Sequence, residues 1–264
     1  MKYGICAIIK NENLFLREWI EHHISIGFDT ICLYEDYDSL SHKDITSHYN
    51  NVYLDSISSI GEENLIETDT HFNGCFRQYA LYKWFKTNNP YDLDWCAFID
   101  IDEYIRFDDN YSLKKICDEF NNKEGLYLKW KMYGANKHID RPIGNLCDNY
   151  TSLSSMSDND GELIYKSFIN LRKINGEWIN MHYIPGLCNT LGYHSLRVRT
   201  HKKMWIDHYI TKSWEDWCER FITRGEENWG CRKLDDFFYH NKDMLDMKSE
   251  LYEYYERLKN KTKM

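Results

Sequence analysis

Asp100 and Asp102 flank a single isoleucine directly after Trp95-Cys-Ala-Phe-Ile99, a run of strand-forming residues, and Glu103 follows them. Two carboxylates released from the end of a buried strand are hard oxygen ligands. Mg²⁺ or Mn²⁺ takes such a pair when its other ligands come from a diphosphate. Asp-x-Asp by itself is a common turn or helix cap. What distinguishes this one is its place, because ligands of a parallel sheet bind beyond the carboxyl ends of the strands.

A second constellation lies near the C-terminus: His208-Tyr-Ile-Thr-Lys212-Ser213-Trp-Glu-Asp-Trp217, then Arg224-Gly225. A neutral His208 imidazole could complete a metal shell. Lys212 and Ser213 precede a helix start, where free backbone N–H groups and the helix dipole favour anions. The plainer reading has Ser213 capping the helix and Lys212 solvated.

These residues need elements to position them, and the first half of the chain supplies a repeating pattern. Tyr3 to Ile9, Thr30 to Tyr34, Val52 to Leu54 and Trp95 to Ile99 read as strands. Between them, Leu16, Trp19, Ile20, His23 and Ile24 recur at helical spacing until Gly27, and Phe76, Tyr79, Ala80 and Trp84 mark a helix that ends before Pro90. Such alternation predicts an α/β fold, a mostly parallel sheet flanked by helices. Ser112 can cap a helix over Leu113 to Phe120, Leu126 to Met132 reads as a strand, and so do Tyr165 to Leu171 and Trp178 to Tyr183. Trp214, Trp217, Cys218 and Phe221 form one face of a later helix, and a charged helix follows from about Lys242 to Lys259. The polar segment from Gly134 to Gly161 is too long for an idle connection and predicts a functional loop.

Composition narrows the function further. The 264 residues fit one large domain, 1–240, with a helical tail, 241–264. A net charge of -9 argues against nonspecific nucleic-acid binding, which needs a basic face, and the short basic runs 200–203 and 259–263 read as solvated surface. Nine cysteines without a Cys-x-x-Cys pair point to buried thiols rather than disulfides or zinc. No stretch approaches the ~20 apolar residues of a membrane span, and the N-terminus does not read as a secretory signal, so a cytoplasmic location is expected. Two glycosylation patterns, at Asn149 and Asn260, then read as chance.

Taken in order, Ile8-Ile-Lys-Asn-Glu12, Leu16-Arg-Glu-Trp-Ile-Glu-His-His23, Gly27-Phe28-Asp29, Trp95 to Tyr104, Trp130-Lys-Met-Tyr-Gly134, Lys166-Ser167 and His208 to Gly225 resemble glycosyltransferase family 92 and its bacterial relatives. The resemblance implies a GT-A fold with C-terminal helices, a nucleotide-sugar donor, a glycan or other hydroxyl acceptor, and Mn²⁺ or Mg²⁺ at Asp100-Ile101-Asp102. It implies metal contact chiefly through Asp102, with His208 as a third ligand. Lys10, Asn11 and Glu12 match the end of the first strand, where base and ribose lie, and Asp36 matches a nucleotide-contacting acid. Arg77-Gln78 resembles the family's pair on the helix before the Asp-x-Asp strand, which puts Arg77 near the diphosphate. The chain departs from the pattern at Ala135-Asn-Lys-His138 and at Cys147-Asp148, so acceptor contacts are sought around Gly134, His138 and Asp148.

The reaction implied is inverting displacement at the anomeric carbon. Asp148 is the expected base, with Glu162 and Glu103 as rivals, and Lys212 or Arg77 relieves charge on the leaving nucleoside diphosphate, for which UDP is favoured. Two alternatives compete with it: a nucleotidyltransferase using the same carboxylate pair, and a noncatalytic carbohydrate-binding protein on a degenerate transferase fold. The absence of a Gly-rich Walker loop weighs against phosphoryl transfer.

Overall fold

The computed structural model describes residues 1–65, 76–156, 165–174, 182–183, 197–199, 203–224 and 233–262. Two compact units emerge, one of residues 1–130 and 161–207, the other of residues 131–160 and 208–264.

The first unit is built on a sheet. Strands β1 (Tyr3–Ile9), β2 (Thr30–Glu35), β3 (Val52–Ser56) and β4 (Trp95–Phe98) lie in the order β3-β2-β1-β4 and are parallel throughout. All four were expected as strands, and β1, β2 and β4 are buried along almost their whole length, as strands covered on both faces must be. Beyond β4 the direction changes. Strand β7 (Tyr165–Asn170) pairs antiparallel with β4 and with β6 (Gly125–Met132). The sheet continues through β6 and β10 (Met204–His208) to β5 (Glu103–Phe107), while β8 (His182–Tyr183) and β9 (Arg197–Arg199) pair with β7 and β6. Of the strand expected over Trp178 to Tyr183, residues 178–181 lie outside the described residues.

Helix α1 (Leu16–Ser25) buries Leu16, Trp19, Ile20 and His23, the face its spacing predicts. A short α2 (Lys43–Thr46) follows β2, and α3 (Phe76–Asn88) buries Leu81, Tyr82 and Phe85 among Cys6, Cys32, Cys96 and Phe98. The six described cysteines are all free thiols, and only Cys147 is not buried. Helix α4 (Leu113–Glu119) is capped by the Ser112 hydroxyl, which accepts from the Lys115 N–H at 3.3 Å. Strand β5, which sequence periodicity does not announce, returns the chain from the Asp-x-Asp turn.

The second unit is helical. Its core gathers Trp214, Trp217, Cys218 and Phe221 of α6 (Trp214–Arg224), Phe237 and Phe238 of α7 (Asp236–His240), and Leu251 and Tyr255 of α8 (Lys248–Thr262). The helix expected from Lys242 begins instead with a 3₁₀ segment, Lys242–Met247, and becomes α-helical at Lys248. The long polar segment is not loose across its described part, 134–156. Tyr133 bridges to Leu153, α5 (Leu146–Asn149) folds within it, and buried Asn241 accepts from the Ala135 N–H at 2.5 Å. Gly134 permits that approach, since a Cβ there would stand 2.8 Å from the Asn241 oxygen.

Candidate active site at the end of strand β4

Asp100 leaves β4 two residues after Phe98, and the turn to β5 is stitched from both sides. The Glu103 N–H donates to the Asp100 carbonyl at 3.1 Å, and the Asp100 N–H donates to Glu103 Oε2 at 2.9 Å. From α1, the Trp19 indole N–H donates to the Asp100 and Glu103 carbonyls at 3.1 and 2.8 Å. His22 Nε2 donates to the Ile105 carbonyl at 2.8 Å. His23 donates from Nδ1 to the Trp19 carbonyl and accepts the Ile105 N–H at Nε2, which fixes it as a neutral tautomer. The motif Leu16 to His23 is therefore the brace of the Asp-x-Asp turn. Burial pushes the His22 pKa down to about 4, against the Ile105 hydrogen bond and aided by the Arg106 charge. Burial, with the neighbouring His22, lowers that of His23 too.

Both oxygens of Asp100 are engaged. Gln78 Nε2 of α3 donates to Oδ1, and Lys166 Nζ of β7 lies 2.8 Å from Oδ2. Lys166 is wholly buried, whereas the Asp100 side chain is 36% exposed. Lys166 also stands 3.6 Å from Glu103 Oε2. Burial would strip the ammonium of its proton, but the Asp100 and Glu103 carboxylates outweigh it and its pKa is raised. Burial raises the Glu103 pKa in spite of Lys166, with Asp100 and Asp102 adding to the rise. Because the Glu103 side chain is sealed from solvent, it is not open to take a proton from an acceptor and acts instead as part of the turn. Asp102 is partly exposed, and Ile101 is buried.

The nucleotide candidates cluster at the ends of β1 and β2. Asn11 adopts the left-handed conformation, at φ 57°, and its side chain accepts the Leu40 N–H at 2.8 Å. The Glu12 N–H donates to Nε2 of buried His42, whose Nδ1 meets Glu35 at 2.9 Å. Lys10 is partly buried beside them. Arg77 and Asp36, predicted separately, are joined to each other, with Nε and Nη2 of Arg77 at 2.5 and 2.8 Å from the two carboxylate oxygens. This bidentate pair lies under Tyr37, whose ring centre is 5.6 Å from the guanidinium carbon.

The later constellation belongs to the second unit. His208 is buried and its carbonyl accepts from the Tyr133 N–H at 2.9 Å. Ser213 caps α6 as expected, accepting from the Asp216 N–H at 3.0 Å. The anion site expected at that helix start is closed by the protein itself. The Trp214 and Glu215 N–H groups donate to the His138 and Ile139 carbonyls. Lys212 is buried with φ 55° rather than solvated, and its charge acts on Asp216. Burial opposes ionisation of Asp216, but Lys212, the Ser213 hydroxyl and Arg141 together lower its pKa. Asp148 is exposed in the first turn of α5 and accepts from Asn145 Nδ2 at 3.2 Å. Glu162 lies outside the described residues.

Among the described residues no group of three or more His, Cys, Asp or Glu is placed to hold a metal ion. The Asp102 carboxylate, with Asp100 held beside it in the turn, is still the right donor for a hard dication that completes its shell with water and phosphate oxygens. A match to the sequence model of glycosyltransferase family 92 runs from residue 3 to residue 242. The chain belongs to glycosyltransferase family 92. A family 92 protein of Oryza sativa subsp. japonica is 23% identical over 224 residues, which are 80% of this chain and 33% of the relative, so the chain spans about a third of that protein's length. Two solved structures are distant likenesses. HddC from Yersinia pseudotuberculosis matches at TM-score 0.40 and 14% identity over 84% of this chain and all of its own. The mannosyltransferase Ktr4p from S. cerevisiae matches at TM-score 0.34 and 12% identity over 53% and 42%. The α/β sheet flanked by helices and the helices at the C-terminus are the GT-A arrangement expected of a family 92 chain. No described helix is long and apolar enough to cross a membrane.

Sequence reasoning missed four supports of this site: Lys166, Gln78, His42 and the Trp19 grip. Lys166 and Gln78 stood within motifs of the family resemblance without a role. An isolated lysine in an apolar strand, Tyr165-Lys-Ser-Phe-Ile-Asn170, was the available signal for the first.

Proposed function

We propose that the chain transfers a sugar from a nucleotide-sugar donor, a UDP-sugar by preference, to a hydroxyl of a glycan or other acceptor, inverting the anomeric carbon. The observation that carries this reading is the Asp100-Ile101-Asp102 turn of a family 92 chain, braced at the end of β4 with Asp100 clamped by Gln78 and Lys166. Asp102 is the carboxylate that would hold Mn²⁺ or Mg²⁺, and Asp100 orients the turn. When bound, the ion neutralises charge on the diphosphate.

The chain's own groups do the remaining work. Lys10 to Glu12 and Asp36 line the strand ends where the nucleoside would lie, and Arg77 beside them carries a second positive charge for the phosphates. Asp148 receives the acceptor's hydroxyl proton as the oxygen attacks the anomeric carbon and the bond to the diphosphate breaks. Glu162 is the next candidate base.

A panel of nucleotide sugars, incubated with the protein and Mn²⁺ or Mg²⁺, tests this reading by release of the nucleoside diphosphate. Metal-stimulated hydrolysis that Asp102→Asn abolishes is the expected result. If no nucleotide sugar is cleaved and none binds with metal present, the protein is a noncatalytic member of its family.

A further inference from the structure

Lys166 stands out among the buried groups. It sits on β7, where Ser167 pairs with Phe98 of the antiparallel β4, so the register carries Lys166 past the last residue of β4 to the start of the turn. Its neighbours on both sides are fixed: Leu128 of β6 and His182 of β8 are its strand partners. Its side chain has no exposure, and the Nζ lies 5.9 Å from the Trp130 ring centre. A surface lysine could swing away when a ligand arrives. This one is held by the sheet, with its Nζ 2.8 Å from Asp100 Oδ2 and 3.6 Å from Glu103 Oε2.

We infer that Lys166 is a built-in counter-cation of the Asp100-Ile101-Asp102 turn, a positioning residue that makes capture of the divalent ion depend on the diphosphate. This rests on the metal-dependent reading above. With one ammonium always in place, the turn presents less negative charge than its carboxylates alone would, so a free dication is held weakly. A nucleoside diphosphate brings the missing negative charge. The two ligands then strengthen each other's binding by the same factor, as linkage requires. Because Lys166 and Gln78 engage the two oxygens of Asp100, direct contact falls to Asp102.

The test measures Mn²⁺ binding itself by electron paramagnetic resonance, with and without UDP. To keep the Glu103 charge out of the comparison, Lys166→Met is made on a Glu103→Gln background and compared with Glu103→Gln alone. Removing the ammonium is expected to tighten binding of Mn²⁺ alone about tenfold and to shrink the gain that UDP confers. Lys166→Arg, which keeps the charge, is expected to match the wild type. Should Lys166→Met lose its native circular dichroism, Lys166→Gln, still a hydrogen-bond donor to Asp100, serves in its place. Equal Mn²⁺ affinity with and without the ammonium overturns the inference, as does tightening by Lys166→Arg. If Asp102→Asn removes Mn²⁺ binding in that same experiment, the metal reading survives that failure. If the wild type binds no Mn²⁺ even with UDP, both fall together.

Discussion

The indole N–H of Trp19 lies between two carbonyls, 3.1 Å from that of Asp100 and 2.8 Å from that of Glu103, and so spans the turn that holds Asp102. A helix residue more than eighty positions earlier in the chain thus ties together the two ends of that turn. Trp19→Phe keeps most of the buried volume and removes both bonds. We expect a loss of about 1 to 3 kcal/mol in stability, measured by denaturant unfolding. Nucleotide-sugar turnover should fall by about 10- to 100-fold, because the two ends of the turn are no longer tied. Unchanged turnover would show that the brace serves stability alone.

Asp102→Asn should remove metal-stimulated turnover while leaving the fold intact. Asp102 is partly exposed at a turn, and its replacement by an isostere should move stability by less than about 1 kcal/mol. Thermal melting without metal checks the second part. A large fall in melting temperature would make Asp102 a structural residue.

The histidines under the turn make stability depend on pH. The folded-state pKa of His22 is about 4 against an ordinary 6.5, so between those values the unfolded chain binds more protons than the folded one. Stability therefore rises with pH through this window and is fully present above 6.5. A shift of that size corresponds to about 3 kcal/mol from His22. Melting curves from pH 4 to pH 7 should show the slope, and His22→Gln should reduce it to the part that His23 contributes.

Asn241 joins α7 to the polar segment. Its side chain accepts from the Ala135 N–H and donates to the Phe237 carbonyl at 2.9 Å, all in a buried setting. Asn241→Ala leaves the Ala135 N–H without its acceptor and should cost about 1 to 3 kcal/mol. Hydrogen exchange of residues 134–156 should quicken in the variant. Exchange no faster than in the wild type would remove Asn241 as the anchor.

Asp148→Asn should slow transfer to a true acceptor by about 10² to 10⁴-fold, the range for loss of a general base, with donor affinity nearly unchanged. Transfer at the normal rate would move the role to Glu162.

The sequence disclosed best what depends on neighbours along the chain. The β4 run, the helical face of α1 and the Ser112 and Ser213 caps all follow from local spacing, and each holds. The carboxylate pair was visible for the same reason, since its strand and its turn are contiguous. What escaped depends on register between distant strands: no local pattern reveals that β7 will set Lys166 beside Asp100, 66 residues away. Arg77 and Asp36 show the same limit from the other side. Each looked like a ligand for nucleotide, and only the packing of α3 near the end of β2 joins them. The start of α6 looked open to anions because sequence does not show that the His138 and Ile139 carbonyls will fill it.

The antiparallel pairing of β4 with β7 also sets an order of events in time. The parallel strands β1 to β4 are complete once Phe98 is made, yet the partner of Asp100 is 66 residues further along. At synthesis rates of about 5 to 20 residues per second, that gap lasts about 3 to 13 s. For that interval the nascent chain carries its acidic turn without the lysine that restrains it. The half of the sheet nearest the N-terminus can assemble early, but the edge of β4 stays open until β7 emerges from the ribosome and closes it.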